Sequence, residues 1–263
     1  MKRLRRIAWC ALATLLALAP TLVAADGSDT TDQDTSQTAA APAAWTRSVV
    51  CPVLYTHEIA SQAIFGRFVT GILKVGYQPV DLATLDAAMV GSIDPPSRCI
   101  LFSFDDSLLS QFVNAVPVLS GVGVPAVFFA LPGFADGVHR YMGVPELQAL
   151  AASGFDVELH TCNHANLPLL ARRNLMAFYA ELQDCRHILE GIIGQAVNYV
   201  AYPSGAYDAT VLEAVARFGF RAGFTTRPSA VLNFRSPYTL PRIRYDPAEP
   251  VGNVLARIRA AGG

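Results

Sequence analysis

Short apolar runs alternate with helix-like segments from about residue 49 to residue 225. This alternation predicts parallel strands joined by helical crossovers, because parallel neighbours need a connection about as long as a helix. The runs are apolar throughout, which is typical of a sheet covered on both faces. We therefore expect one barrel-like α/β domain with its chemistry at the carboxyl ends of the strands. In chain order the runs are VVCPVLYTH, RCILFSF, PAVFFAL, FDVELH, VNYVAYPSG and FRAGFTT.

The start of the chain differs from the rest. Residues 1–25 combine a basic start, an apolar stretch and a small-residue end, which is the pattern of a secretory signal peptide. An uncleaved membrane anchor is the alternative, although the apolar run is short for a bilayer span. Residues 26–47 are polar and acidic and are expected to form a flexible linker. The sequence thus predicts a folded domain at 48–263, exported to the periplasm or secreted.

The charge balance argues against two kinds of partner. The chain has 20 Lys and Arg and 21 Asp and Glu, and four of the bases lie in residues 1–25, which hold no acid. The remainder carries 16 bases and 21 acids, a net charge of −5. A mildly acidic domain offers no basic surface for nucleic acid or for an anionic membrane. Neither is expected to bind the mature protein.

Four cysteines follow the signal segment, and an oxidising compartment permits disulfides. Cys51 and Cys99 each lie six residues before a polar residue at a predicted strand end. If these strands are neighbours in matched register, the two sulfurs meet; two free buried thiols are an equal alternative. Cys162 and Cys185 are expected to stay apart, because a helix running away from the Cys162 loop would carry Cys185 out of reach.

Two adjacent carboxylates, Asp105 and Asp106, end the run RCILFSF, where like charges repel and are costly to desolvate. A bound cation would remove that cost. HTCNH offers His160 and His164, which on a helical turn would lie on one face. With Asp106 they would form the open ligand set of a catalytic metal and leave Asp105 free as a base. A surface histidine pair and a helix-capping Asp pair are the simpler alternatives.

Several motifs together resemble the polysaccharide deacetylase family, carbohydrate esterase family four, also called the NodB homology domain. FSFDDS is similar to its first motif, Thr-Phe-Asp-Asp-Gly, and HTCNH to its second, His-Ser/Thr-x-x-His. The resemblance runs from about Cys51 to Tyr245 and implies a distorted (β/α) barrel, TIM-like, with about seven strands. CPVLYTHEI and TLPRIRY resemble the exported branch that acts on poly-N-acetylglucosamine and related exopolysaccharides.

The resemblance also implies roles for individual residues. Asp106, His160 and His164 would bind a divalent metal, usually zinc, with cobalt or nickel as alternatives. Asp105 would take the proton of the attacking water, and the backbone N–H of Ser204 would stabilise the oxyanion. The implied reaction removes N-acetyl groups from a polysaccharide that contains N-acetylglucosamine, such as an exopolysaccharide, a chitin-type oligomer or peptidoglycan.

Three positions depart from the family pattern. Ser107 replaces the usual Gly after the Asp pair and is expected to be tolerated. Ala201 stands where an Arg usually holds the catalytic Asp; Arg242 is expected to supply that contact, with a surface Arg as the alternative. No histidine follows His187, although the family's last motif carries one as general acid. His57 is predicted to line the site and protonate the leaving amine, with a structural histidine as the alternative.

The residues of the third motif, Tyr202, Pro203 and Tyr207, are expected to contact the sugar, although aromatic residues at strand ends are more often core. His139 and His187 are expected to be structural or solvated. The missing late histidine leaves open a non-catalytic glycan-binding descendant. The metal and base do not distinguish an N-deacetylase from an O-acetyl esterase. A monomer is expected, with exopolysaccharide export machinery as a candidate partner.

Overall fold

A curved sheet of parallel strands with flanking helices organises residues 47–137 and 140–263, the part of the chain that the computed structural model describes. The strands are β1 (Ser48–Val50), β2 (Val53–Thr56), β3 (Gln78–Pro79), β4 (Cys99–Asp105), β5 (Ala126–Ala130), β6 (Asp156–Leu159), β7 (Tyr199–Ala201), β8 (Ala222–Phe224), β9 (Val231–Asn233) and β10 (Ile243–Arg244). The helices are α1 (Gln62–Lys74), α2 (Leu82–Met89), α3 (Val116–Val122), α4 (Val144–Ala152), α5 (Leu167–Arg173), α6 (Leu175–Ile193), α7 (Ala209–Arg217) and α8 (Val251–Ala260). A π-helical turn (Gln111–Ala115) precedes α3, and 3₁₀ turns span Pro132–Phe134, Pro203–Gly205 and Pro237–Thr239.

Seven strands within the described ranges follow one another in the order β10-β2-β4-β5-β6-β7-β8, all parallel. β3 pairs in parallel with the start of β4. Leu240, shortly before β10, forms a parallel bridge with Phe224 of β8. The segment that leads into β10, one outer strand of the sheet, therefore lies against β8, the other outer strand. The sheet therefore curls into an incomplete barrel with helices around it. This architecture confirms the predicted distorted (β/α) barrel.

Side chains of β4 alternate between two apolar clusters. Phe102 and Phe104 belong to the cluster that the sheet forms with the surrounding helices. Leu101 belongs to the second cluster, together with Phe129 of β5. Asp105 shares the alternation of Leu101 and therefore points to that second side. All seven residues of β4 are buried, which explains why a strand covered on both faces has an apolar sequence.

The first predicted strand is in fact two strands. β1 pairs antiparallel with β9, whereas β2 joins the parallel sheet beside β4. Pro52 lies between them, and proline has no backbone N–H to donate to a ladder. The prediction of one continuous strand over VVCPVLYTH is therefore wrong, although its second half lies in the sheet as expected.

The first disulfide joins β2's lead-in to the start of β4. The register of these strands pairs Val53 with Leu101, which places Cys51 opposite Cys99. The two cysteines are bonded, with Cα atoms 5.1 Å apart. Matched register was the condition set for this pairing, and the disulfide is confirmed over the alternative of two free thiols.

Cys162 and Cys185 form a second disulfide, with Cα atoms 5.4 Å apart. The expectation that they stay apart is wrong. The short helix α5 separates the Cys162 loop from α6, and α6 packs against both α5 and β6. The chain thus turns back before the helix that carries Cys185 begins, and that helix passes beside the loop.

The predictions for the start of the chain fall largely outside the described residues. The signal peptide predicted at residues 1–25 lies there entirely, and of the linker predicted at 26–47 only Arg47 is described. Within the described ranges no helix has the length and apolar character needed to cross a bilayer. The domain boundaries at 48 and 263 stay predictions.

Candidate active site

The predicted chemical groups meet at one rim of the barrel. His57 follows β2, Asp105 ends β4 with Asp106 directly after it, and His160 follows β6. Ser204 lies in the 3₁₀ turn after β7. Because these strands are parallel, their carboxyl ends lie on the same edge of the sheet.

Backbone strain is concentrated at this rim. Five non-glycine residues among those described have a positive φ, and all of them follow the carboxyl end of β4, β6 or β7. Such angles cost of order 1–3 kcal/mol each and persist only where surrounding contacts impose them. The strain therefore indicates a functional site. The five residues are Asp106, Ser107, Thr161, His164 and Ser204.

His160 and His164 converge through a loop, so the predicted helical turn is wrong. Residues 160–166 contain no helix, and α5 begins only after them. Thr161 and His164 have φ values of 66° and 56°, which bend the loop back on itself. The two imidazole centroids lie 5.1 Å apart. The expected convergence of the rings is present, but left-handed backbone produces it.

Asp106 faces both histidines. Its Oδ1 atom lies 3.5 Å from Nε2 of His160 and 3.5 Å from Nε2 of His164. That oxygen is buried and has no hydrogen-bond partner. Two ligand atoms about 2.1 Å from a tetrahedral cation lie roughly 3.4 Å from each other. The three side chains therefore fit a divalent cation such as zinc, which would satisfy the orphaned oxygen.

Both imidazoles are held in a form that binds metals. Nδ1 of His160 lies 2.7 Å from the carbonyl oxygen of Ala201. A carbonyl only accepts hydrogen bonds, so Nδ1 carries the proton and Nε2 is free to coordinate. Burial lowers the pKa of His164. The neutral ring that a metal requires is thereby favoured.

Asp105 is buried beside Asp106 and is paired with Arg242. Nη1 of Arg242 donates to Oδ1 at 2.7 Å, and Nη2 donates to Oδ2 at 2.8 Å. Burial alone would raise the pKa of Asp105, but the Arg242 guanidinium beside it holds that pKa below its ordinary value. Asp105 is therefore ionised and held in one orientation. Arg242 makes the contact expected of it in place of an Arg at Ala201.

Arg242 has no exposed surface, which excludes the alternative of a surface arginine. Its Nε donates to the carbonyl oxygen of Thr225 at 3.0 Å. Its guanidinium carbon lies 4.6 Å from the ring centre of Tyr55 and 5.3 Å from that of Phe129. These rings stabilise a desolvated cation. These contacts fix the guanidinium so that two of its N–H groups point to Asp105.

His57 lies next to the Asp pair with part of its ring exposed. Its Nε2 is 4.0 Å from Oδ2 of Asp106, and 34% of its side chain is accessible. Gln111, in the π-helical turn, donates from Nε2 to the carbonyl oxygens of His57 at 2.7 Å and Asp105 at 2.6 Å. Gln111 is fully buried and ties the two strand ends together.

Ser204 is exposed at φ 56° and ψ 14°. The N–H groups of Gly205 and Ala206 make the hydrogen bonds of this turn, to the carbonyl oxygens of Tyr202 and Pro203. The N–H of Ser204 is not used by these bonds. A backbone donor at this position is compatible with the oxyanion role expected from the sequence.

Ser107 replaces a glycine of the family motif yet adopts the left-handed φ of 52°. Its side chain is buried, and its hydroxyl accepts a hydrogen bond from the backbone N–H of Leu131 at 2.7 Å. Its carbonyl oxygen accepts another from the N–H of Met142, also at 2.7 Å. The hydroxyl contact offsets the strain, which explains why serine fits here.

Tyr202 and Pro203 are buried and are not accessible to a sugar. Tyr202 has no exposed surface, and its hydroxyl donates to the carbonyl oxygen of Tyr238 at 2.9 Å. Pro203 is buried at the start of its turn. The prediction that these two residues contact substrate is therefore wrong. Tyr207 is half-buried, accepts a hydrogen bond from Arg227 at 2.7 Å, and stays a candidate.

Two supporting residues were missed by sequence reasoning, Gln111 and Glu181. Each contacts backbone groups of the site rather than reacting atoms. Neither belongs to a motif; the one available signal is that Glu181 precedes Cys185 by one helical turn. Of the histidines set aside earlier, His187 is exposed on α6 and His139 lies outside the described residues.

Comparison with known proteins points to one family. The family model described as polysaccharide deacetylase matches residues 92–223, about half of the chain. The chain is 26% identical over 203 residues to YxkH of Bacillus subtilis, covering 74% of this chain and 71% of that protein. It is 25% identical to the poly-beta-1,6-N-acetyl-D-glucosamine N-deacetylase of Staphylococcus aureus (strain MRSA252), covering 56% of this chain and 54% of that one.

Two solved structures share the fold at low identity. The deacetylase PplD of Streptococcus pyogenes, in complex with acetate, superposes with a TM-score of 0.71 at 20% identity, covering 81% of this chain and 99% of that one. IcaB of Ammonifex degensii gives a TM-score of 0.68 at 24% identity, covering 80% and 97%. These structures share the fold, and the family-model match over half of the chain shows that the chain belongs to the polysaccharide deacetylase family.

Proposed function

We propose that this chain is an exported, metal-dependent hydrolase that removes N-acetyl groups from a polysaccharide containing N-acetylglucosamine. The observation that carries the proposal is the pairing of two unlike carboxylates. Asp106 presents an unpartnered oxygen to two histidines, whereas each oxygen of Asp105 accepts a hydrogen bond from Arg242. One carboxylate is suited to bind a cation and the other to act as a base beside it.

The residues of the rim divide the reaction among them. Asp106, His160 and His164 would hold a divalent cation, which would be zinc, with cobalt or nickel as alternatives. The cation would polarise the acetyl carbonyl and make water more acidic. Asp105, ionised and oriented, accepts the proton of the attacking water. The backbone N–H of Ser204 donates to the oxyanion of the tetrahedral intermediate.

His57 is the residue we assign to the leaving group. Collapse of the tetrahedral intermediate requires a proton on the departing amine. His57 lies within 4.0 Å of Asp106 and retains solvent access, so it can approach a bound substrate. No histidine follows His187 in the sequence. Of the described histidines at the rim, His57 is the one that is not a proposed metal ligand, and it is therefore the candidate for this proton transfer.

The substrate class rests on resemblance to a relative. The Staphylococcus aureus protein is named for its action on poly-beta-1,6-N-acetyl-D-glucosamine, and the match covers 54% of its length. An O-acetyl esterase would use the same metal and base, so acetylated xylan is the comparison substrate. The buried Arg242–Asp105 pair favours catalysis over a non-catalytic glycan binder, because binding a glycan needs no desolvated carboxylate.

One assay separates these readings. The purified protein is incubated with N-acetylglucosamine oligomers of β-1,4 and β-1,6 linkage and with acetylated xylan, and released acetate is measured with and without a chelator. We expect release from an N-acetylglucosamine oligomer, loss with chelator, and recovery on adding zinc. Release from xylan alone would indicate the esterase, and glycan binding without any acetate would indicate the binder.

A separate measurement tests the signal peptide. N-terminal sequencing of the exported protein should begin at Asp26 if the signal prediction is right.

A further inference from the structure

The loop between the two candidate metal ligands is held by one glutamate on a distant helix. Glu181 of α6 accepts hydrogen bonds from the backbone N–H of Cys162 at 2.8 Å and of Asn163 at 3.1 Å. It also accepts one from the side-chain amide of Asn163 at 2.8 Å. These are the second and third of the three residues that separate His160 from His164.

The opposite side of the same loop is closed by Gly133. Its backbone N–H donates to the carbonyl oxygen of Cys162 at 3.1 Å. A Cβ atom at Gly133 would lie 2.4 Å from Oδ1 of Asn163 and 2.6 Å from that carbonyl oxygen. The loop is thus packed between the 3₁₀ turn that follows β5 and helix α6, with no space for a side chain at Gly133.

A covalent bond reinforces the contact with α6. Cys162 is bonded to Cys185, which follows Glu181 by four residues and therefore lies on the same face of the helix. Both side chains thus bind Cys162: Glu181 accepts a hydrogen bond from its backbone N–H, and Cys185 is bonded to its sulfur. Thr161 and His164 on either side have left-handed backbone, which such constraints must impose.

We propose that Glu181 and the Cys162–Cys185 disulfide are positioning elements for the metal site, which hold the backbone between His160 and His164 in its left-handed path. This rests on the proposed function, since it assumes that these histidines bind a cation. Outer contacts that orient ligands typically change metal affinity by about 10- to 100-fold when removed. The other disulfide, Cys51–Cys99, lies at the amino-terminal ends of β2 and β4, away from the rim, and has no such role.

The test compares metal affinity with stability in matched variants. Zinc affinity is measured by competition with a chromophoric chelator, and the thermal midpoint is measured separately. We expect Glu181→Ala and the double variant Cys162→Ser/Cys185→Ser to bind zinc at least about tenfold more weakly. Asp184→Ala removes the same charge from an exposed position on α6 and should bind zinc normally.

The control Cys51→Ser/Cys99→Ser removes the disulfide with the longer span, 48 residues against 23, and should lower the thermal midpoint without weakening zinc binding. Unchanged affinity in both test variants, with wild-type affinity intact, overturns the positioning role alone. Absence of zinc binding in the wild type overturns the metal site and this inference with it. If the cysteine variant does not fold, Glu181→Ala decides the question.

Discussion

Arg242 holds Asp105 through two parallel hydrogen bonds, of 2.7 and 2.8 Å, between side chains that are both almost completely buried. Neither residue is close to the other in sequence, and β10 lies next to β2 rather than β4. The guanidinium reaches Asp105 across β2, over the ring of Tyr55. The charge and the orientation of the proposed base therefore depend on the residue that directly precedes the last strand, β10.

Arg242→Lys should reduce turnover by about 100-fold or more, because lysine keeps the charge but lacks the planar fork that orients both carboxylate oxygens. Arg242→Ala should in addition destabilise the protein by about 3–5 kcal/mol, since it leaves Asp105 buried without its partner. Acetate release and urea unfolding measure the two effects. Arg217→Lys, at an exposed position of α7, is the control; normal turnover in Arg242→Lys would contradict the prediction.

Asp105→Asn should bind zinc like the wild type and lose turnover by about 10²–10⁴-fold. The substitution removes the base but none of the three candidate metal ligands, Asp106, His160 and His164. Metal content of the purified variant and its rate of acetate release are measured on the same sample. Loss of metal together with activity would mean that Asp105 is a ligand and that the division between the two carboxylates is mistaken.

His57→Ala should keep its metal and lose turnover by about 100-fold, with the loss in kcat rather than in KM, since protonation of the amine follows binding. His187→Ala is the matched control, because His187 is exposed on α6 and follows no strand of the sheet. A rate unchanged in both variants would make His57 structural and would leave the leaving group without an assigned acid.

Much of the rim was accessible to sequence reasoning for one physical reason: the carboxyl ends of parallel strands lie on one edge of a sheet. This principle alone brings His57, Asp105 and His160 together. Arg242 was predicted differently, from the resemblance: the family pattern has an Arg at the position of Ala201, and Arg242 was expected to replace it. The first inference depends on topology, which a sequence pattern carries well, and the second depends on the family motif.

The failures concern side-chain direction and the path of loops. Tyr202 follows Val200 by two residues, and both belong to the cluster between sheet and helices, so alternation along β7 could have revealed its burial. Gly223 also leaves room for its ring, since a Cβ atom there would lie 2.1 Å from the Tyr202 hydroxyl. The Cys162–Cys185 disulfide had no such signal, because it depends on where α5 turns the chain.

Ser107 should show an order of stability that reflects two opposing effects. Ser107→Gly relieves the left-handed strain but leaves the buried N–H of Leu131 without its acceptor, which costs about 1–3 kcal/mol. Ser107→Ala loses the same acceptor and keeps the strain, so it should be the least stable. Urea unfolding should therefore rank wild type above Gly and Gly above Ala. Alanine equal to glycine would show that the strain is not significant here.

Asp156 should make stability depend on pH in a direction opposite to that of most carboxylates. It accepts a hydrogen bond from the N–H of Leu82 at 3.0 Å. Burial raises the pKa of Asp156, the Leu82 bond opposes this, and Asp81 and Asp86 raise it further. The folded state therefore holds a proton more tightly than the unfolded state, and stability falls as pH rises from the ordinary Asp range through the raised pKa.

Asp156→Asn should remove that contribution, because the amide oxygen still accepts from Leu82 but does not ionise. Relative to the wild type, the variant should gain stability as pH rises from about 4 to 7, measured as the difference in urea midpoints. Asp184→Asn, an exposed change on α6, should follow the wild-type profile throughout. A constant difference between Asp156→Asn and the wild type at every pH would mean that Asp156 titrates alike in the folded and unfolded chains, and that its burial is compensated by the Leu82 bond.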